Sequence, residues 1–332
     1  MRDTYDLVVL GDANPDVIVR GAPEVLTYGQ AEREVAGADL TLGGSGALMA
    51  HAAARLGLRT AFVGLVGDDR AADLVLGMLA GGGVDVSGVT RDPGVGTAMT
   101  VIFVQPDGDR AMLTFPGALS SFGPEHVDEQ MLASARHLHV ASVFLQPRLT
   151  PALPALLRIA RAAGAITSLD TNDDPSERWV VDRDALLPVV DYLLPNEREA
   201  VALAFGSRSD GTARAAARSL AAYGPAVVVK CGAEGAFAVR NGEHGASVQR
   251  ATLDMQTAGG ADVADTGGAG DAFDAGLITG LSQGFHLRDA LRLAVATGTL
   301  SVRRAGGADG QPSASEAAGW AERVLGVDDD EP

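Results

Sequence analysis

Short apolar runs alternate with longer amphipathic stretches over most of this 332-residue chain. Short runs rich in Val, Ile and Leu are typical of buried strands, whereas the longer stretches repeat their apolar residues at helical spacing. Such alternation predicts strand–helix–strand units, which build a mostly parallel sheet with helices on both faces. The predicted strands are 6–11, 60–66, 137–143, 165–169, 189–194 and 226–231, and the predicted helices are 45–56, 70–80, 152–163, 197–205, 212–223, 269–283, 287–303 and 313–325.

Two segments, residues 16–42 and 97–117, interrupt this alternation and show the two-residue pattern of exposed strands. In the second segment, a Pro-Asp-Gly turn at 105–109 separates predicted strands at 99–104 and 110–115. We expect a small β-sheet that covers the carboxyl ends of the main strands as a lid, because open α/β sheets bind ligands there; ordinary edge hairpins are the alternative. The predicted core is 1–15, 43–96 and 118–326, and a frayed acidic tail follows at 327–332.

Charge and cysteine content argue against several classes of protein. The chain has 26 Lys and Arg against 43 Asp and Glu, a formal net charge of −17, so nucleic acid and anionic membranes would repel it. Its single cysteine, Cys231, cannot form an internal disulfide or a cysteine-cluster metal site. No apolar run approaches the roughly 18 residues of a membrane-spanning helix. We therefore expect a cytoplasmic protein whose partners are small molecules.

A glycine-rich segment, Asp265-Thr266-Gly267-Gly268-Ala269-Gly270-Asp271, runs directly into a predicted helix. Helix N-termini expose unpaired N–H groups and a partial positive charge, and glycine lets an anion approach the backbone, so this pattern favours a phosphate site. Asp271 in the first turn is placed to take a proton from a hydroxyl that attacks phosphorus. A flexible turn followed by a helix start with a favourable carboxylate is the alternative.

Other nucleotide-binding motifs do not fit the chain. Its one lysine, Lys230, is followed by cysteine, so a Walker A loop is excluded. Neither Gly268-x-Gly270 nor Gly44-x-Gly46 is completed as a Rossmann fingerprint, because Phe273 and Met49 stand at the last position. We therefore expect backbone N–H groups and arginines to hold most of any phosphate charge.

The segment ending in Asp271 resembles the second signature of the PfkB (ribokinase-like) carbohydrate kinase family. Residues 43–48, Gly-Gly-Ser-Gly-Ala-Leu, are similar to the first signature, and further family-like pieces stand in the family's order across residues 6–315. The resemblance implies a three-layer α/β/α fold and an ATP- and Mg²⁺-dependent kinase that transfers the γ-phosphate to a hydroxyl of a small sugar or sugar-like acceptor. A nucleoside kinase of the same family and a non-catalytic sugar or nucleotide sensor are the alternatives.

On the phosphate side, the resemblance implies that Asp271 is the catalytic base. The N–H groups of Gly268, Ala269 and Gly270 would form the anion hole for the transferred phosphate. Asn196 and Glu199 match the element that positions Mg²⁺, commonly through water; as an alternative or in addition, they form a helix cap. The other implied nucleotide-contacting positions are Lys230, Gly232, Gly235 and Thr266.

Two of these assignments have a structural alternative. Gly232 and Gly235 also fit a plain hairpin. Asp265 is a candidate ligand for a monovalent cation such as K⁺, as in some relatives, and equally fits a cap of the turn at 266–270.

On the acceptor side, Asn14 and Asp16 follow the first strand, and a carboxylate there can accept hydrogen bonds from two neighbouring hydroxyls. An Asx-turn is the alternative for Asp16. Gly43 and Gly44 match the family's hinge beside the sugar, and Arg110 is a weaker substrate candidate that could equally be an exposed strand residue. The exposed lid strands also favour a homodimer.

One position departs from the family pattern. Leu48 stands where an asparagine usually contacts a substrate hydroxyl, so one familiar sugar contact is missing, which leaves room for a less polar acceptor or a nucleoside. Ser45, rather than lysine, follows the glycine pair. A phosphate on the acceptor would want such a cation, so a sugar phosphate such as fructose 6-phosphate is disfavoured.

Overall fold

The computed structural model describes residues 4–25, 28–107, 109–242, 245–253, 267–304 and 306–329. The strands in these ranges are β1 (Leu7–Leu10), β2 (Asn14–Arg20), β3 (Gly37–Gly43), β4 (Thr60–Gly67), β5 (Asp85–Asp92), β6 (Met99–Val104), β7 (Arg110–Phe115), β8 (His137–Val140), β9 (Ile166–Leu169), β10 (Tyr192–Leu193), β11 (Ala226–Lys230), β12 (Ala236–Gly242), β13 (Gly245–Thr252) and β14 (Leu325–Asp329). The α-helices are α1 (Ser45–Arg55), α2 (Arg70–Gly81), α3 (Glu129–Leu132), α4 (Leu153–Ala162), α5 (Arg183–Leu186), α6 (Glu197–Phe205), α7 (Ala213–Ala221), α8 (Ala269–Ser282), α9 (Leu287–Ser301) and α10 (Ala314–Ala321).

The main sheet has ten strands in the order β14-β13-β12-β11-β10-β9-β8-β1-β4-β5. Every pairing from β11 to β5 is parallel, and the pairings that add β12, β13 and β14 are antiparallel. The predicted mostly parallel α/β sheet is therefore confirmed. In the described residues, no helix is long and apolar enough to cross a membrane.

Helices cover both faces of this sheet, because alternate residues of each buried strand point to opposite sides. Val8 and Leu10 of β1 belong to a buried cluster with residues of α3, α4, α6 and α7. Leu7 and Val9 belong to a second cluster with residues of α1, α2, α8 and α10. The chain is thus a three-layer α/β/α structure, which the alternation of apolar runs predicts.

The carboxyl-terminal segment differs from the prediction. The helix expected at 313–325 is shorter, ending as α10 at Ala321, and Leu325–Asp329 forms β14. This strand pairs antiparallel with β13, so the expectation of a frayed tail is wrong for residues 327–329. Acidic composition alone misleads here, because an open strand edge of the main sheet is available for backbone pairing.

A second, four-stranded sheet has the order β3-β2-β6-β7. β2 pairs antiparallel with β3 and parallel with β6, and β6 pairs antiparallel with β7. Its strands come almost entirely from the two segments that interrupt the strand–helix alternation. A small separate sheet is therefore present.

Candidate active site

Polar residues meet at the carboxyl ends of the parallel strands, where ligands of α/β sheets bind. Asp12 follows β1, Asp170 follows β9, and Lys230 ends β11. The backbone of Asn196, two residues beyond Leu194, forms a parallel bridge with Lys230. The fold thus gathers into one region residues that are far apart in the sequence.

Helix α8 begins at this edge and carries the predicted base. Its N-cap, Gly268, has a φ of 74°, a left-handed conformation that glycine adopts without strain. The N–H groups of the first turn have no partners within an α-helix, so they are available to an anion. Asp271 is 9% exposed, and its Oδ1 accepts a hydrogen bond from the hydroxyl of Ser45. Burial raises the pKa of Asp271 to about 7, although the Ser45 hydrogen bond opposes this rise.

The predicted acceptor residues lie together on β2 and β3. Asn14 Nδ2 donates to Asp16 Oδ1 at 2.7 Å. Asn14 pairs with Gly43 across the two strands, and a β-carbon on Gly43 would overlap the Asp16 carboxylate. Burial raises the pKa of Asp16 to about 7, and the hydrogen bond from Asn14 opposes this. The glycine therefore makes room for a half-buried carboxylate.

Asp12, which the sequence does not single out, joins β1 to the start of α1. Its carboxylate accepts from the N–H of Ser45 at 3.1 Å and of Gly46 at 2.9 Å. Gly44 precedes the helix with a φ of 85° and leaves no space for a side chain against Asp12 and Asn14. An aspartate just after a predicted buried strand is a sequence signal of a polar residue at the carboxyl edge of the sheet. The sequence does not identify the groups that this aspartate binds.

Lys230 lies in a buried ionic cluster. Its Nζ is 3.1 Å from Asp170 Oδ2 and 3.2 Å from Asp274 Oδ2. Although burial alone would lower the pKa of Lys230, the two carboxylates raise it above its usual value. Burial raises the pKa of Asp274 well above its usual value, against the effect of Lys230. A β-carbon on Gly270 would lie 3.5 Å from Nζ, so the lysine also adjoins the start of α8.

Asn196 and Glu199 form the predicted helix cap at the start of α6. Asn196 Oδ1 accepts from Glu199 N at 2.9 Å, and Glu199 Oε2 accepts from Asn196 N at 2.9 Å. The Thr171 hydroxyl also donates to Glu199 at 3.2 Å. Burial and the nearby Asp170 raise the pKa of Glu199. Carboxylate and amide oxygens are ligands that suit Mg²⁺, and a cation nearby would favour the ionised form of Glu199. The pair therefore fits an Mg²⁺ ion that is held through water.

A cavity of about 370 Å³ adjoins the first turn of α8. Its walls are mostly small or apolar, and Gly232 and Gly235 contribute to one of them. The same glycines lie in the turn of the β11–β12 hairpin, so the hairpin interpretation is correct and compatible with a place beside the cavity. The remaining lining residues are Lys230, Ala233, Leu253, Ala269, Gly270, Phe273, Val295, Gly298, Thr299 and Val302.

A larger cavity, of about 620 Å³, lies elsewhere. It is lined by residues of the second half of α8 and of α9 and α10, among them Thr279, Leu293 and Ala318. None of the polar residues described above lines it, so its size alone does not make it the site of the chemistry.

Arg110 is not brought to the acceptor residues. Asp16 is in register with Thr100 of β6, which pairs with Thr114 of β7. Arg110 stands in register with Val104, about 13 Å further along the strand. The small sheet's topology, which the sequence does not reveal, separates them.

Leu48, the residue that departs from the family pattern, is buried near Gly268 at the start of α8. A β-carbon on Gly268 would lie 3.3 Å from Leu48 Cδ1. Asp265 and Thr266, predicted as cation and nucleotide contacts, lie outside the described residues.

Residues 5–314 match the profile of the pfkB family carbohydrate kinases. The chain belongs to the PfkB family. It is therefore a phosphotransferase that acts on an alcohol group. The PfkB resemblance of the two glycine-rich segments is confirmed over almost the whole chain.

Relatives of this PfkB kinase include an ATP-dependent ribose-1-phosphate kinase from Halopiger xanaduensis, 31% identical over 323 residues that cover 94% of this chain and 97% of that one. A fructokinase from Solanum tuberosum is 29% identical, covering 83% of this chain and 84% of that one. The structure of Arabidopsis thaliana ribokinase complexed with ribose and ATP matches with a TM-score of 0.81 at 25% identity, covering 96% of this chain and 99% of that one. The ribokinase-like fold is thus confirmed.

Proposed function

We propose that this PfkB kinase transfers the γ-phosphate of ATP to a hydroxyl of a small sugar, with Asp271 as the base. The observation that carries the proposal is the contact between two helix starts. Asp271 in the first turn of α8 accepts a hydrogen bond from Ser45, which directly follows the Gly43-Gly44 pair beside Asp16. This contact links the base to both the phosphate-binding helix start and the acceptor residues.

The chemistry follows from these positions. Asp271 takes the proton as the acceptor oxygen bonds to the γ-phosphorus, and the bond from that phosphorus to the departing ADP oxygen breaks. The N–H groups at Gly268, Ala269 and Gly270 stabilise the charge that develops on the transferred group. Asp16, oriented by Asn14, holds neighbouring hydroxyls and so fixes which one faces the base.

The nucleotide fits the cavity beside α8. The cavity's apolar wall suits a purine ring, and the N–H groups of the first turn of α8 are available to the phosphates. Asn196 and Glu199 would hold Mg²⁺ through water, and the ion, when bound, neutralises phosphate charge. A requirement for K⁺, with Asp265 as a ligand of the ion, is also a proposal.

A sugar phosphate is a second acceptor candidate. The relative of Halopiger xanaduensis, similar over 94% of this chain, is a ribose-1-phosphate kinase. Against it stands the acceptor region, where Asn14 and Asp16 offer an amide and a carboxylate, and where Ser45, not lysine, follows the glycine pair. Because a carboxylate repels a phosphate, a neutral sugar is the acceptor that these residues favour.

An acceptor panel tests the proposal. ADP release from MgATP should be measured with ribose, fructose, ribose 1-phosphate, a sugar acid and adenosine. We expect kcat/KM for one neutral sugar to exceed that for adenosine by at least about tenfold. Asp16→Asn should raise the KM for that sugar by about tenfold or more. A preference for ribose 1-phosphate or adenosine would replace the neutral-sugar acceptor. ATP binding without ADP release from any acceptor would favour the sensor alternative.

The four-stranded sheet is proposed to act as a lid and as a dimer contact. As a lid it would exclude water, which otherwise competes with the acceptor as nucleophile. Leu40, Met112, Leu113 and Phe115 on this sheet are each more than half exposed, which supports pairing with a second copy. Light scattering should give a dimer that Met112→Glu with Leu113→Glu converts to a monomer. A wild-type monomer at the same concentration would rule out the dimer.

A further inference from the structure

The contact between α1 and α8 contains more than a single hydrogen bond. The Ser45 hydroxyl of α1 donates to Asp271 of α8, and Leu48, one turn further along α1, lies 3.3 Å from where a β-carbon on the N-cap Gly268 would be. The first pair is polar and the second apolar. Two such contacts fix both the distance and the rotation of one helix start relative to the other.

The backbone of Ser45 is itself held firmly. Its N–H donates to Asp12 Oδ2 at 3.1 Å, and the N–H of Ala47 donates to the Asp12 carbonyl at 2.9 Å. A β-carbon on Gly46 would lie 3.0 Å from the backbone N of Asp12, so the helix start is pressed against the end of β1. The Ser45 hydroxyl therefore approaches Asp271 from a fixed position.

The two carboxylate oxygens of Asp271 have different surroundings. Oδ1 accepts the Ser45 hydrogen bond, whereas Oδ2 would lie 3.8 Å from a β-carbon on Gly268, the N-cap of α8. Oδ2 is thus near the N-cap of α8, where the anion hole is proposed. A hydroxyl donor on Oδ1 holds the carboxylate in this rotation and stabilises its ionised form.

We infer that Ser45 is a positioning residue for the base: its hydroxyl holds Asp271 ionised and turned so that Oδ2 receives the acceptor proton. This inference rests on the proposed role of Asp271. It assigns a function to the serine that follows the Gly43-Gly44 pair.

Other charged groups also act on Asp271. Asp12 follows β1, Asp170 follows β9 and Lys230 ends β11; the two carboxylates raise the pKa of Asp271 and the lysine lowers it. Because these groups stay in place when Ser45 is changed, a shift in a Ser45 variant reports the hydroxyl alone.

The test is the pH profile of kcat for Ser45→Ala, with Ser45→Thr as the matched variant that keeps a hydroxyl. A hydrogen bond to a charged group is strong enough to shift the acid limb of Ser45→Ala upward by about one pH unit or more. We expect a loss of kcat at pH 7 of about fivefold or more, most of it recovered near pH 9, with the KM for ATP unchanged. Ser45→Thr should keep the wild-type midpoint.

A double-mutant cycle isolates the coupling. In an Asp271→Asn background, Ser45→Ala should change the residual rate by less than about twofold, since the ionisable group is gone. A raised acceptor KM with an unmoved midpoint would mean that Ser45 contacts the acceptor instead. A pH-independent loss with a lower Tm would mean a merely structural role, and either result overturns the inference. If Asp271→Asn is itself active, the proposed function fails first.

Discussion

Replacing Asp271 with Asn is expected to lower kcat by about 10²- to 10⁴-fold, the range for loss of a general base. Asparagine has nearly the shape of aspartate but cannot take a proton, so helix α8 and its anion hole should persist. The Kd for ATP should therefore change by less than about threefold. The measurement is steady-state ADP release at saturating acceptor, together with calorimetric ATP binding.

The wild-type pH profile supplies an internal check. Because burial raises the pKa of Asp271 to about 7, the active ionised form is lost as the pH falls through that value. At saturating acceptor, the kcat of the wild type should rise across pH 6–8 and the residual kcat of Asp271→Asn should not, because the titration of Asp16, whose pKa is also about 7, acts on the acceptor KM. Asp210→Asn, the same change at an exposed loop position, is the control and should be silent. A loss below threefold for Asp271→Asn would refute the assignment.

The fold was predictable because its determinants are local. Apolar runs such as residues 60–66 and 226–231 are strands in any α/β arrangement, and the glycine-rich entry to α8 shows a helix start directly. Less local features were missed. β10 is reduced to Tyr192–Leu193, and the edge strand β14 depends on a partner, β13, that no local pattern identifies.

The residues of the site were predictable only where a local sequence motif by itself indicates the role of a residue. Asp16 and Gly43 stand beside each other as expected, and Asp271 stands in the first turn of α8. Asp274 was missed, although a carboxylate among the apolar residues of a buried helix is itself a signal of a buried partner. That the partner is Lys230, 44 residues earlier, depends on tertiary packing and not on any spacing.

Lys230 leads to the largest expected effect on stability. Asp170 and Asp274 are 3% and 1% exposed at their side chains, so Lys230→Met leaves two buried carboxylates without their cation. Removing one partner of a buried ion pair costs about 3–5 kcal/mol of unfolding free energy. Urea denaturation at pH 8 should show that loss. Arg304→Met is the matched control, because its pair with Glu316 is about half exposed, and it should lose less than about 1 kcal/mol.

The sign of the pH dependence distinguishes charge from packing. Burial already raises the pKa of Asp274, and loss of Lys230 should raise it further. A carboxyl whose pKa rises on folding favours the folded state below its unfolded pKa of about 4, and that contribution is lost as the pH rises through the folded value. The deficit of Lys230→Met should therefore shrink toward pH 5 and grow toward pH 8. An equal deficit at both pH values would show that lost side-chain packing, not unpaired charge, causes the destabilisation.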